Sequence, residues 1–368
     1  MGTCYSDKST EPNEVFMTIS AQGYAAQSAT DSLKSIQFER RDPRPNDVVI
    51  DIDYCGICHS DIHTVRGEWA GTRYPCMPGH EIIGRVAVVG DKVSQFKVGD
   101  LVGVGCMVDS CQTCNSCHDD LEQYCEKAFT GTYNGRDSIG GTALTHTMGG
   151  YSNKITVDER FVLTIPQTLD PAAAAPLLCA GITTYSPLKH WKVGPGQKIG
   201  VIGMGGLGHM GVKLAKALGA EVVMITTSPE KAADAKALGA DAALLSTDTA
   251  AMRAAQSSFD FLLNTIPVGH DVDPYLALLK RDATMVVVGS VEPLTKINAA
   301  QLIFRRRHVA GSLIGGIAET QEMLDFCGQH NIVCDIEMIN IQDVNEAYNR
   351  AVKGDVKYRF VIDMKSLG

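Results

Sequence analysis

Four cysteines fall within residues 111–125, in the run CQTCNSCHDDLEQYC. Their spacing is C-x2-C-x2-C-x7-C, with short polar links between them. Such links let the chain curl until Cys111, Cys114, Cys117 and Cys125 point inward, which suits a tetrahedral Zn²⁺ at Zn–S distances of about 2.3 Å. A closed four-sulfur shell leaves no open position, so this metal would fix a loop and activate no substrate. Iron–sulfur clusters use similar ligands, but ferredoxin spacing is missing, which favours zinc. Disulfide staples are disfavoured too. The chain has twelve cysteines and a default location in the cytosol, where thiol buffers keep sulfur reduced.

A metal that does chemistry needs ligands from elsewhere. The stretch CGICHSDIHTVRGEW (55–69) supplies Cys58, His59, Ser60, Asp61 and His63. PGHEIIGRVAVVG (78–90) supplies His80 and Glu81, and PLLCAGITTY (176–185) adds Cys179. Two cysteines and a histidine form a three-ligand shell with one vacancy, in which zinc acts as a Lewis acid on a carbonyl or alcohol oxygen. Taken singly, a buried thiol is more often packing than ligand, and Cys55, Cys76, Cys106, Cys327 and Cys334 are assigned to the core on that basis.

The second chemical signal is a glycine turn. KIGVIGMGGLGHMGVKLAKALGAEVVMITTSPEK runs from a short apolar stretch, Ile199 to Ile202, into Gly203, Gly205 and Gly208. Apolar residues then recur at Leu207, Met210, Leu214 and Leu218, which gives a strand, a tight turn and a helix. That context turns G-x-G-x-x-G into a dinucleotide-binding signature: glycines admit the pyrophosphate and the helix N-terminus faces its charge. The next strand ends where a carboxylate would clasp the ribose of NAD. Thr226, Thr227 and Ser228 stand there, with Lys231 one turn on, and this set accepts a 2′-phosphate and favours NADP(H). FDFLLNT and TMVVVGS read as later buried parallel strands, with Asn264 and Gly289 at their ends where a nicotinamide could sit.

The elements that must position these groups belong to a two-domain chain. At 368 residues it exceeds one core of usual size. With 45% hydrophobic and 20% charged residues and a mean hydropathy of -0.01, it reads as a globular α/β protein. No apolar run is long enough to cross a bilayer. The net charge of -9 argues against a nucleic-acid partner, and Arg305–Arg307 is the only basic cluster. The first fourteen residues lack a secretory signal, so a cytoplasmic protein is expected. MGTCYS fits an acylation pattern at Gly2, with Cys4 as a second site, but a plain tail is the preferred reading.

Together, and with GHEIIG, GMGGLGHMGVK and GSLIGG, these blocks resemble the zinc-dependent medium-chain dehydrogenase/reductase superfamily. More narrowly they resemble its cinnamyl-alcohol-dehydrogenase-like aldehyde reductases, from about residue 34 onward. The resemblance implies a catalytic zinc on Cys58, His80 and Cys179, with Glu81 able to approach it during ligand exchange. It implies a structural zinc on the four lobe cysteines, making two Zn²⁺ per chain. Asp61 matches the carboxylate that orients the histidine ligand, and Ser60 and His63 match a proton relay. By position, His59, Thr183, Gly206, Leu207 and Ser312 join the cofactor residues, and Trp69, Met107 and Leu313 the substrate pocket.

The implied architecture is a Rossmann doubly wound parallel sheet domain plus a β-rich GroES-like catalytic domain. Residues 1–33 would be a tail and extension, 34–179 with 318–368 the catalytic domain, and 180–317 the NADP-binding domain. A homodimer through the nucleotide-binding domains is implied as well. The expected activity is hydride transfer between NADP(H) and an aldehyde/primary alcohol pair. Thr226 to Lys231 argues against an NAD-linked polyol or small-alcohol dehydrogenase. A complete metal set and relay argue against a non-catalytic zinc- and NADPH-binding protein.

Overall fold

The computed structural model describes residues 18–136, 144–289, 292–294 and 296–368. The acylation pattern at Gly2 and Cys4 lies outside them. Two main sheets organise the chain. One has six strands, all parallel, in spatial order Ala242–Leu245, Glu221–Thr226, Lys198–Ile202, Phe259–Asn264, Leu279–Val287 and His308–Gly311. This is the doubly wound order, which reverses direction at the strand leading into the glycine turn. Its inner strands are near-continuous apolar runs: Val222 to Ile225 and Phe261 to Leu263 are all buried. Parallel strands covered by helices on both faces require that composition.

The other sheet is mixed. Its central strand Asp47–Gly56 pairs with Ile82–Val89, Lys154–Asp158 and Arg359–Asp363. The last of these, with its parallel neighbour Ile336–Asn340, comes from the end of the chain. The chain therefore leaves this sheet, builds the parallel one and returns. Thr18–Ala25 pairs in unbroken antiparallel register with Lys34–Arg41. A boundary at residue 34 would cut this hairpin in two, and Ala25 and Ala26 are core residues. The sequence missed the strand because TISAQGYA carries no strong apolar alternation.

One apolar cluster spans both sheets. Ile83 and Val361 of the mixed sheet lie in the same buried cluster as Val201 and Leu263 of the parallel one. Helix Ala180–His190 joins the two sheets, and every residue from Ala180 to Leu188 in it is buried. Helix Gly208–Ala217 packs Met210, Val212 and Leu214 inward, and each large side chain contributes about 1.5–3 kcal/mol by leaving water. No described helix is long and apolar enough to cross a membrane.

Candidate active site

Two clusters of metal-type ligands are present among the described residues. In each, the ligand atoms all lie within 4.8 Å of one another: Cys111, Cys114, Cys117 and Cys125, and Cys58, His80, Glu81 and Cys179. The first forms around one short loop. Cys114 caps the helical turn Asn115–His118, and the 3-10 turn Glu122–Tyr124 carries the chain back to Cys125. Sulfur separations are 3.5 Å for Cys114–Cys117 and 4.0 Å for Cys111–Cys117 and Cys114–Cys125. A tetrahedral ion with Zn–S bonds of about 2.3 Å has S–S edges of about 3.8 Å, so the four sulfurs fit zinc. Backbone N–H groups of Cys111 and Glu126 donate to the Cys125 and Cys114 sulfurs, both at 3.4 Å, which favours thiolates.

The second cluster is assembled from three distant segments. Cys58 caps helix His59–Val65, His80 and Glu81 precede strand Ile82–Val89, and Cys179 begins helix Ala180–His190. The Cys58 and Cys179 sulfurs are 3.9 Å apart, again the edge of a zinc tetrahedron. The fully buried Asp61 holds the cluster together. Its carboxylate accepts from the backbone N–H of Cys58 at 2.8 Å and of Gly79 at 3.1 Å, and it lies 3.0 Å from His80 Nδ1. That engagement leaves His80 Nε2 as the nitrogen free to bind a metal. Although burial opposes charge on His80, Asp61 raises its pKa well above the usual value.

The donor set fits a divalent cation on its own chemistry. Hydrogen bonding with Cys179 holds Cys58 well below the usual thiol range, and sharing with Cys106 and Cys58 raises Cys179 well above it. Glu81 is fully buried; one of its oxygens meets the Arg359 guanidinium, while Oε2 has no partner. Gly56 lies so close that a Cβ there would sit 1.9 Å from that Oε2. Burial pushes the Glu81 carboxyl up and Arg359 opposes the shift. A cation beside two thiols and an unpartnered carboxylate oxygen matches charge that burial would otherwise make costly.

Cys58 and Cys179 open on a cleft of about 510 Å³ between the two sheets. His59, Ser60, His63 and Trp69 line one side of it, and Thr183, Gly203, Gly205, Gly206 and Leu207 another. Gly289, Ser312 and Leu313 complete the set of lining residues expected from the sequence. The turn needs glycine at Gly203, where φ is +94, and at Gly205 a Cβ would meet nothing within 4 Å, so the backbone there is open to a ligand. Gly208 begins the following helix.

Some expected residues lie elsewhere. Asn264 is fully buried beneath the cleft, with its side chain 3.0 Å from His270 Nε2 and bonded to the Ile266 N–H. Met107 is 2% exposed and packs in the core of the mixed sheet. Neither lines the cleft, because a strand end pointing at a ligand in sequence can still turn its side chain inward. Thr226, Thr227, Ser228 and Lys231 lie beyond the lining, at the end of strand Glu221–Thr226 and the start of helix Pro229–Ala237.

Sequence reasoning missed five participants. Arg359 is 5% exposed, pairs with Glu81, lines the cleft and touches Gly206. Its only signal was a basic residue opening the apolar strand RFVID. Glu68 meets His63 Nδ1. Tyr133 lies 5.5 Å from the His80 ring, and Tyr151 donates to Asp61 at 3.4 Å. Cys106, assigned to packing, shares hydrogen bonding with Cys179.

Residues 44–167 match the alcohol dehydrogenase GroES-like domain, and residues 206–329 match the zinc-binding dehydrogenase family. The aldehyde reductase YahK of Escherichia coli is 57% identical over 355 residues, which cover 95% of this chain and 99% of that protein. That coverage leaves too few unmatched residues for the similarity to begin at 34. A cinnamyl alcohol dehydrogenase from Sorghum bicolor superposes with a TM-score of 0.90 at 45% identity, over 94% of this chain and 98% of that one. CAD from Helicobacter pylori, solved with NADP(H), gives 0.88 at 44% identity, over 95% and 99%. The chain belongs to the zinc-dependent medium-chain dehydrogenase/reductase superfamily.

Proposed function

We propose that this protein is a zinc-dependent, NADP(H)-linked aldehyde reductase, interconverting aldehydes and primary alcohols. The observation that carries the reading is that the Cys58/Cys179 sulfurs and the Gly203–Leu207 turn line one cleft. Cys58, His80 and Cys179 would hold the catalytic zinc, with Glu81 beside them, and the four lobe cysteines a structural one. When bound, zinc supplies Lewis-acid polarisation of the substrate oxygen and NADPH supplies the hydride.

The chain's own residues bind, orient and move the proton. Asp61 fixes the tautomer and angle of His80. Ser60 stands at the metal end of the cleft, its oxygen 3.6 Å from the Cys58 sulfur. It passes a proton to the nascent alcohol and recovers it from His63, one helical turn on. His63 Nδ1 is engaged by Glu68, whose side chain is 44% exposed. Glu68 therefore links the relay to solvent and orients the His63 ring. Trp69, 5.7 Å from the His63 ring, and Leu313 form apolar walls for the aldehyde substituent. Arg359, between Glu81 and Gly206, supplies positive charge at the turn that receives the pyrophosphate. Thr226, Thr227, Ser228 and Lys231 take the 2′-phosphate. Reduction is the working direction, since cellular NADP pools are kept reduced.

Assembly and location follow from other surfaces. Edge strand His308–Gly311 pairs with Leu279–Val287 on one side, and near it Ile303 and Phe304 are 73% and 84% exposed. An edge strand beside exposed apolar residues suits a two-fold partner, which supports a homodimer through the nucleotide-binding domains. Six of the cysteines are placed here as metal ligands, a use of thiols that suits a reducing compartment such as the cytoplasm. The test of the activity is a panel of aldehydes assayed with NADPH and NADH on protein analysed for metal. Two zinc ions per chain and NADPH-dependent reduction are expected. Absence of turnover across the panel at full metal loading would remove the enzymatic reading.

A further inference from the structure

The residues proposed for the 2′-phosphate carry an anion of their own. Ser228 caps helix Pro229–Ala237, its Oγ accepting from the Lys231 N–H at 3.3 Å. The same hydroxyl donates its single proton to Glu230 Oε2 at 2.6 Å. A serine hydroxyl has one hydrogen, so while Glu230 holds it Ser228 has none for a phosphate. Glu230 is exposed, and the Ser228 hydrogen bond holds its carboxyl below the usual range. It is therefore an anion at neutral pH, in the first turn of a helix whose N-terminus favours negative charge.

We infer that Glu230 is a cofactor-specificity residue that narrows the preference for NADPH over NADH. The inference rests on the 2′-phosphate being taken at Thr226–Lys231. A 2′-phosphate entering there must displace the carboxylate from Ser228 and then sit beside it, and like charges in one turn repel. The unphosphorylated ribose of NADH meets no such cost. Its 2′-hydroxyl donates to the carboxylate, the contact by which acidic residues recognise NAD. Thr226, Thr227, Ser228 and Lys231 pull toward NADP, and Glu230 pulls the other way, so the preference for NADPH is smaller than those four residues alone would set.

Fluorescence titration of the zinc-loaded, full-length protein with NADPH and with NADH tests this. The proteins compared are wild type, Glu230→Gln, Glu230→Ala and Lys231→Ala. Glu230→Gln, which removes the charge and keeps the size, should tighten NADPH about fivefold to twentyfold and leave NADH unchanged or slightly weaker. Glu230→Ala should do at least as much, because it also frees the Ser228 proton. The gain should shrink toward 1 M salt, where charges more than about 3 Å apart are screened. If both Glu230 variants change the ratio of the two dissociation constants by less than twofold, Glu230 has no such role. Lys231→Ala separates that failure from a failure of the site. A loss of NADPH affinity alone keeps the 2′-phosphate at this turn, and no loss in either cofactor moves it elsewhere.

Discussion

Cys111, Cys114, Cys117 and Cys125 come from one short loop, whereas Cys58 and Cys179 of the other cluster stand 121 positions apart. The ligand chemistry overlaps and the construction is opposite. In the loop, few residues lie between sulfurs, so little chain entropy opposes closure, and an ion bound there would add most of its stability locally. The second cluster is held by the scaffold: two helix N-termini and the segment before a strand converge, and the buried Asp61 ties Cys58, Gly79 and His80 together. Its ligands are mixed, it contains an ionisable carboxylate paired with Arg359, and it opens on a cleft. On the proposed ligand sets, the loop is a site that a metal would fold, and the cleft cluster is one that the fold prepares for a metal, which is the condition for chemistry at an open position.

The comparison breaks most visibly if the two clusters are interchangeable. Cys58→Ser should lower aldehyde reduction by about a thousandfold or more, leave one zinc per chain, and keep NADPH affinity within about threefold. Retained turnover would remove Cys58 from the ligand set. Cys114→Ser should also leave one zinc per chain, but its effect belongs to stability. Loss of a structural zinc site should cost several kcal/mol, read as a melting temperature lower by roughly 5–15 °C. The fraction still folded should turn over substrate at near the wild-type kcat. A Cys114 variant that is thermally unchanged, or folded and inert, would overturn the division of labour.

Asp61→Asn sharpens the contrast without deleting a ligand. It should weaken zinc at the cleft about tenfold to a hundredfold and leave the loop zinc untouched, read by titration with a competing chelator. Equal release from both sites would mean that Asp61 acts on the fold as a whole.

Acid supplies a smaller and more general test. Both clusters lose metal as thiolates protonate, but the scaffold around the cleft has an acid sensitivity of its own. His209, in the first turn of the helix after the glycine turn, is fully buried, lies 5.0 Å from the Tyr358 ring in a stacked arrangement, and has an unpartnered Nε2. Burial pushes its pKa down to about 3, whereas an unfolded histidine titrates near 6.5. Below about pH 6.5 the unfolded chain takes up a proton that the folded one refuses. Stability therefore falls with pH from there toward 3 and is unaffected above, by about 2 kcal/mol at pH 5. His209→Phe keeps a flat ring against Tyr358 and should flatten the stability slope between pH 5 and 6.5 at saturating zinc. An unchanged slope would assign the acid sensitivity to the metal sites alone.

The same contrast explains what could be read from the sequence. The loop cluster was legible because its spacing is its geometry, and the glycine turn was legible because strand, turn and helix are contiguous. Cys58, His80 and Cys179 were visible only as a pool of residue types until the family resemblance grouped them, since nothing local says that three segments converge. Arg359 showed only as a basic residue opening an apolar strand, and Glu68 and Tyr151 were not legible at all. Each matters through a partner reached in three dimensions: Glu81, 278 positions from Arg359, His63 across a helix end, and Asp61, 90 positions from Tyr151. Asn264 and Met107 stand away from the cleft lining, because a position in sequence fixes where a backbone goes and leaves open which side of it the side chain takes.

The loop and the cleft are nevertheless in contact, and the smallest prediction tests whether that contact matters. The 3-10 turn Glu122–Tyr124 reaches the far wall: the Leu313 N–H donates to Tyr124 Oη at 3.1 Å, and the Ile317 N–H donates to Glu122 Oε2 at 3.0 Å. Gly316 packs so tightly there that a Cβ would fall 1.9 Å from Asp120 O. Leu313 lines the cleft, so the cysteine loop braces one wall of it. Tyr124→Phe removes one hydrogen bond, about 0.5–1.5 kcal/mol, from a segment that water reaches. The expected result is a rise in KM for aldehyde of about twofold to fivefold, with kcat within twofold and two zinc ions retained. A proportional fall in kcat would instead point to damage at the catalytic cluster. An unchanged KM would leave the loop as a clip whose metal stabilises the fold and has no influence on the pocket.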